Sequence, residues 1–214
     1  MDPSARRLTQ AVSRAFRFVA RHWLAIANAV MALFVGPAFL APWLMLHGYT
    51  GPGRLLYLAY QPFCHQYPER SFFLGGERPW YTYGELAQRL GSDVPARYIG
   101  NPELGYKVAF CERDTAIYAG MLLAGLAFAL LRHRMKRLPW RTIALLVLAS
   151  TAPMAIDGLV QLVGILESDW LRRTVTGLLF GSAVIWLLPW VEWGMNDAQE
   201  AALRLPEEAD ADHR

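Results

Sequence analysis

Two short polar stretches set the chemistry open to this chain. They are Cys64-His65-Gln66 with Pro68-Glu69-Arg70-Ser71, and Cys111-Glu112-Arg113-Asp114. Zinc accepts mixed sulfur, nitrogen and oxygen ligands. Cys64, His65 and Cys111 therefore form a candidate zinc set, with Asp114 or His47 as a fourth ligand. The same two cysteines could instead close a disulfide, worth about 4 kcal/mol in the chain-entropy account of so long a loop. Free thiols are the third state. No Cys-x-x-Cys or His-x-x-x-His spacing selects among them, and the cysteines are too few for a disulfide scaffold.

A third stretch, Asp157-Gly158 with Gln161, lies in an otherwise apolar run. A carboxylate in the hydrocarbon region costs a few kcal/mol or more unless it faces protein, pairs or is neutral. Arg113 and Arg173 are the expected partners, and Gln161, four residues on, shares its helix face. The functional reading is a polar site binding a small ligand, a lipid headgroup or a metal ion. His65, Gln66, Arg70, Arg113, Asp114, Asp157, Gln161, Arg173 and Thr176 would line it. In a catalytic version, Asp157 or His65 moves a proton and Arg113 or Arg173 clamps an anion. The bland reading is a membrane subunit in which Cys64–Cys111 is a disulfide. Asp157 is then a structural ion pair, or a neutral group bonded to Gln161 or Thr176.

These residues must be positioned by membrane-spanning helices. Trp23 to Leu46 holds no charged residue, and about 20 apolar residues cross the hydrocarbon core. This span is too long for the apolar part of a secretory signal and reads as a retained helix, kinked or loosened by Pro37 and Pro42. Further spans are expected at 116–131, 142–166 and 174–193, the last with Trp186, Trp190 and Trp193 set for an interfacial belt. The expected fold is thus an all-α membrane protein, a four-transmembrane-helix bundle. Asp157 should lie roughly 12–14 Å below the end of the third span, level with Arg113 and Arg173. Gly120 with Ala124, and Gly177 with Gly181, are small-residue pairs that permit close helix approach.

Lys and Arg near span ends set the orientation. Arg6, Arg7, Arg14, Arg17 and Arg21 precede the first span, and Arg132, Arg134, Lys136, Arg137 and Arg141 lie between the second and third. Both termini are expected in the cytoplasm, in the inner membrane of a bacterium or archaeon. Residues 1–22 place Leu8, Val12, Phe16, Val19 and Trp23 on one face, with Ser4 as a cap. Such a basic amphipathic helix suits anionic lipid headgroups at the membrane surface. Residues 194–214 form an acidic tail reaching Asp212.

Segment 47–114 is then extracytoplasmic and partly helical. Arg54 to Tyr60 reads as a short interfacial helix, and Thr82 with Glu85 as a capping box closed by Gly91. Rich in aromatics but poor in aliphatics, the segment is expected to rest on the membrane domain without a core of its own. Only 18% of the residues are charged against 54% hydrophobic, whereas a soluble domain carries about 25% charged. No basic stripe interleaved with aromatics supports nucleic-acid binding, and no nucleophile elbow, P-loop or dinucleotide glycine pattern is present. Ion translocation is disfavoured by the lack of charge through the inner half of the spans.

At its polar stretches the chain resembles the domain-of-unknown-function 2085 family of small bacterial and archaeal membrane proteins. The likeness rests on Cys-His-Gln with Pro-Glu-Arg-Ser-Phe-Phe at 64–73, Gly-Tyr-Lys-Val-Ala-Phe-Cys-Glu-Arg-Asp-Thr-Ala-Ile-Tyr at 105–118, Pro-Met-Ala-Ile-Asp-Gly-Leu-Val-Gln at 153–161 and Thr-Gly-Leu-Leu-Phe-Gly at 176–181. The resemblance implies a membrane domain with a shared polar constellation, and no reaction.

Overall fold

The computed structural model describes residues 3–211, with side chains described for residues 7–201 apart from Thr9. The expected Ser4 cap, Arg6 and the tail beyond Ala201, including Asp212, have side chains outside the described residues. Helices dominate: α1 (Pro3–Leu46), α2 (Thr50–Tyr60), α3 (Tyr83–Leu90), α4 (Glu112–Leu131), α5 (Trp140–Leu162), α6 (Trp170–Ser182) and α7 (Leu188–Ala211). Among the described residues, four stretches are long and apolar enough to cross a membrane: Gln10–Leu46, Glu112–Leu131, Trp140–Leu162 and Trp170–Ala201. The basic N-terminal segment is helical and runs into the first span without a break.

Pro37 and Pro42 lie inside α1 without ending it. Pro42 has no N–H, so the Ala38 carbonyl loses its partner within the helix. The Ala109 backbone N–H donates to that carbonyl at 3.1 Å and docks the far end of the polar segment on α1. The fourth span is interrupted by a 3-10 stretch at Ala183–Trp186, just before Pro189 in the first turn of α7. In that interruption Trp186 Nε1 donates to Ser150 Oγ on α5 at 3.2 Å. This tryptophan therefore joins helices, while Trp193 stacks under the Arg137 guanidinium at 4.7 Å.

The expected small-residue packing is present between α4 and α6. A Cβ on Gly181 would stand 2.0 Å from the Ile117 carbonyl, and one on Gly120 would stand 2.8 Å from that of Leu178. With lipid on the outside, close backbone approach of this kind gives helices their dispersion contact.

The polar segment holds more structure than expected. The capping box forms at Thr82 and Glu85, and Gly91 ends α3 with φ 65°. Three strands missed by the sequence reading, β1 (Phe73–Leu74), β2 (Gly100–Asn101) and β3 (Gly105–Lys107), form an antiparallel sheet in the order β1-β3-β2. They are two or three residues long, too short for alternation to show. Phe73, Tyr81, Leu86, Val94 and Leu104 make a small core of their own. A second cluster joins Ala38, Ala41 and Met45 of α1 to Tyr57, Tyr60, Cys64 and Phe110, so the segment also rests on the bundle.

Candidate functional site

The cysteines, Gln66, Arg113, Asp114 and Arg173 are held at helix ends or in the turns feeding them, while Asp157 lies five residues inside α5. Gln66 adopts φ 56°, a left-handed conformation rare outside glycine. Its Nε2 donates to the Tyr57 carbonyl at 2.8 Å, and the buried Lys107 ammonium donates to the Gln66 carbonyl. That turn aims backbone N–H groups at the preceding cysteine. The N–H of Gln66 (3.4 Å) and that of Cys111 (3.2 Å) both donate to Cys64 Sγ. Cys111 is the N-cap of α4, its Sγ accepting from the Asp114 N–H at 3.4 Å.

The two cysteines are unbridged, with Cys64 buried and Cys111 partly so. One ligand atom from each of Cys64, Cys111 and Asp114 falls within 4.8 Å of the others, so this group could hold a metal ion. The Cys111 side chain, hydrogen-bonded to Cys64, holds the Cys64 thiol below its usual range; that bond and burial push Cys111 well above it. Burial pulls Lys107 down to about 8, opposed by the charge of Cys64. Cys64 is therefore the sulfur of the pair that releases its proton more readily, its thiolate form favoured by two N–H donors and an S–H.

The expected histidines stand outside this donor group. His65 is exposed and stacks on Tyr67, ring centroids 5.7 Å apart, though it lines the same cleft. His47 stacks on Trp43 and bonds the Trp43 carbonyl, one turn back at the end of α1. That geometry occupies its ring at α1.

The cleft in front of the sulfurs has a volume of about 330 Å³. Of the expected ligand-binding residues, His65, Gln66, Arg70, Arg113, Asp114, Gln161 and Arg173 line it. Asp157 and Thr176 do not; they line a separate groove between α5 and α6. Asp157 nonetheless touches the cleft's wall, because its carboxylate pairs with Arg113. It also accepts from Ser168 Oγ at 2.9 Å and lies 3.9 Å from Arg172 Nε. Gln161 and Thr176 are therefore not its partners; the Thr176 hydroxyl bonds back to the Arg172 carbonyl at 2.7 Å.

Arg173 pairs with Glu112 at 3.0 Å, not with Asp157. Helix α5 ends at Leu162, with Gly164 at φ 72° just beyond, so the apolar run to Leu166 is not all helix. Asp157 consequently lies about 7 Å, not 12–14 Å, from the helix end. Arg113 Nε is buried without a hydrogen-bond partner among the described residues.

Sequence reasoning missed Lys107 and Ser168 as parts of this region, and it named Glu112 within the Cys111–Asp114 stretch without giving it a partner. Lys107 ends β3 and leads an apolar run toward α4, and a lone lysine beside Val108, Ala109 and Phe110 is the signal that was available. Ser168 gave none, because its position depends on where α5 ends.

Comparison with known proteins matches residues 103–187 to a family described as predicted membrane protein (DUF2085). The resemblance drawn from the polar motifs holds over that stretch. An uncharacterised protein of the archaeon Methanocaldococcus jannaschii is 29% identical over 166 residues, covering 73% of this chain and 85% of its own length. No solved structure matches the chain.

Proposed function

We propose that this membrane protein binds a thiophilic divalent cation, zinc being the first candidate, through Cys64, Cys111 and Asp114. The reading rests above all on the mutual approach of those three donors within 4.8 Å at the mouth of a polar cleft. Bond lengths of 2.0–2.3 Å put tetrahedral ligand atoms roughly 3–4 Å apart, so closing the set needs a shift of up to about 1–2 Å. The N–H groups aimed at both sulfurs are the outer-shell support that metal thiolates use. Three protein ligands leave one position for water or a bound molecule, as in reactive zinc sites. The three donors line the same cleft as Arg70, Arg113 and Arg173, which would favour an anionic group beside the metal.

Metal content of the purified protein tests this. One zinc per chain, lost in Cys64→Ser and in Asp114→Asn, is expected, with both thiols protected from alkylation until a chelator is added. A metal-free protein whose thiols are absent under non-reducing conditions would favour the second reading, a structural or partner-binding subunit with a Cys64–Cys111 disulfide. The observation favouring that alternative is Asp157, whose carboxylate is already satisfied by Arg113, Ser168 and Arg172.

The Lys and Arg distribution supports an orientation with both termini and the α4–α5 connection in the cytoplasm. The cysteine cleft then faces outward from the inner membrane, and the N-terminal helix meets anionic headgroups. A protease site placed at exposed Ser92 should be cut from outside intact cells, and cleavage only after lysis would reverse the orientation.

A further inference from the structure

Lys107, the last residue of β3, is 1% exposed and enters no ion pair among the described residues. The other two buried charged side chains, Glu112 and Asp157, each face an arginine. Burial draws Lys107 down to about 8, so near neutral pH it still carries its proton. A buried cation is retained only where an anion and hydrogen bonds replace its lost water. Something must fill that role for Lys107.

The cavity beside it, of about 280 Å³, is lined by Lys107, Arg97, Cys64, Gln61 and Gln66 among others, and by no Asp or Glu. The Cys64 thiolate is the anion that this lining can offer. Its charge acts on Lys107 more strongly than that of Glu69, which stands outside the lining. Hydrogen bonds join the two groups through one residue. The Lys107 ammonium donates to the Gln66 carbonyl, and the Gln66 N–H donates to Cys64 Sγ at 3.4 Å. Gln66 is the residue at φ 56°, a conformation that persists outside glycine only where its surroundings hold it. Tyr57 completes the hold, its hydroxyl donating to the Lys107 carbonyl and its own carbonyl accepting from Gln66 Nε2.

The charges of the donor set leave a place for this cation. Two thiolates and one carboxylate around a divalent ion sum to one surplus negative charge. Arg113 and Arg173 are engaged by Asp157 and Glu112, and Arg70 is exposed against the Tyr67 ring. Lys107 is the buried cation left to balance it.

We propose that Lys107 is a positioning residue of the sulfur site, fixing the Gln66 turn and balancing the negative charge that Cys64, Cys111 and Asp114 place around a divalent ion. The metal half rests on the reading above; the hold on Cys64 does not. A singly charged ion would leave the site negative, so the lysine also favours a doubly charged one.

Two variants of the full chain in detergent test this. Lys107→Met puts an apolar chain of similar length in an apolar surround, and Lys107→Gln keeps an N–H donor without the charge. Competition with a chromophoric chelator should show zinc held about 10–100-fold more weakly in both. The cobalt-substituted variants should keep their thiolate charge-transfer band, because the ligand set is unchanged. In metal-free protein near neutral pH, Lys107→Met should slow alkylation of Cys64 by iodoacetamide about tenfold. A lysine that served the fold alone would shift the unfolding temperature and leave both readouts where they were. Lys107→Gln carries the test if the first variant does not fold. Undiminished zinc affinity in the variants would overturn the proposal, and affinity restored by Lys107→Gln would overturn the charge balance in favour of the hydrogen bond. If the unaltered chain binds no zinc, the metal reading fails by itself and the alkylation rate decides: slowing upholds the grip of Lys107 on Cys64, and an unchanged rate overturns it.

Discussion

The α4–α6 seam and the α5–α6 groove share a helix but are built on opposite terms. In the seam, glycines bring backbones together until no side chain fits between them, and the Glu112–Arg173 pair closes the polar end. In the groove, Pro153, Ile156, Val160, Leu171 and Val175 line an open volume of about 530 Å³ between the helices. Packing without space gives stability; packing with space gives somewhere for another molecule to lie. The site residues divide accordingly, for Arg113 roots in the tight helix and Asp157 in the loose one.

The sharpest way to break this contrast is Gly181→Val, which drives a side chain into the Ile117 carbonyl. We expect a loss of about 3 kcal/mol or more and aggregation in detergent, read by thermal unfolding and size exclusion. Glu112→Gln should follow, since stripping one partner from a buried pair costs about 3–5 kcal/mol; its side chain is 2% exposed. Asp157→Asn makes the same acid-to-amide change beside a more exposed arginine, Arg113 at 21% against Arg173 at 12%, and should cost less, about 1–3 kcal/mol in the same assay. Gly158→Ala, on the loose helix with nothing within 4 Å of its added carbon, should change stability by no more than about 1 kcal/mol. If Gly158→Ala destabilised as much as Gly181→Val, the distinction between the two interfaces would fail.

The cysteine pair allows a test that leaves the helices alone. Because Cys64 is held below the usual thiol range, its thiolate persists to lower pH than a free cysteine's and is lost as pH falls through that lowered value. Thiolate absorbance of metal-free protein should show one early transition. Cys111→Ala, which removes the S–H donor, should move it upward. A single transition at the ordinary thiol value in both proteins would contradict the hydrogen-bonded pair.

The helices were legible because uncharged runs of about 20 residues admit few other readings in a membrane. Asp157 was legible for the same reason: one carboxylate in such a run has to be accounted for. Its partners were harder. The sequence named Arg113 correctly, but Arg172 and Ser168 depended on α5 stopping at Leu162, and the left-handed turn at Gly164 that stops it looks like any glycine in an apolar run. The cysteines were placed together by topology alone, whereas His65 and His47 turned elsewhere because adjacency along a chain does not fix side-chain direction. The sheet and Lys107 escaped because two-residue strands have no measurable period.

Cys111 is at once a sulfur donor and the cap of α4. Any alteration of that atom, whether oxidation, alkylation or coordination, is an alteration of the first turn of α4. Glu112 and Arg113 stand in that turn, one gripping α6 and the other α5. The sulfur therefore stands within one helical turn of both contacts that tie α4 to its neighbours.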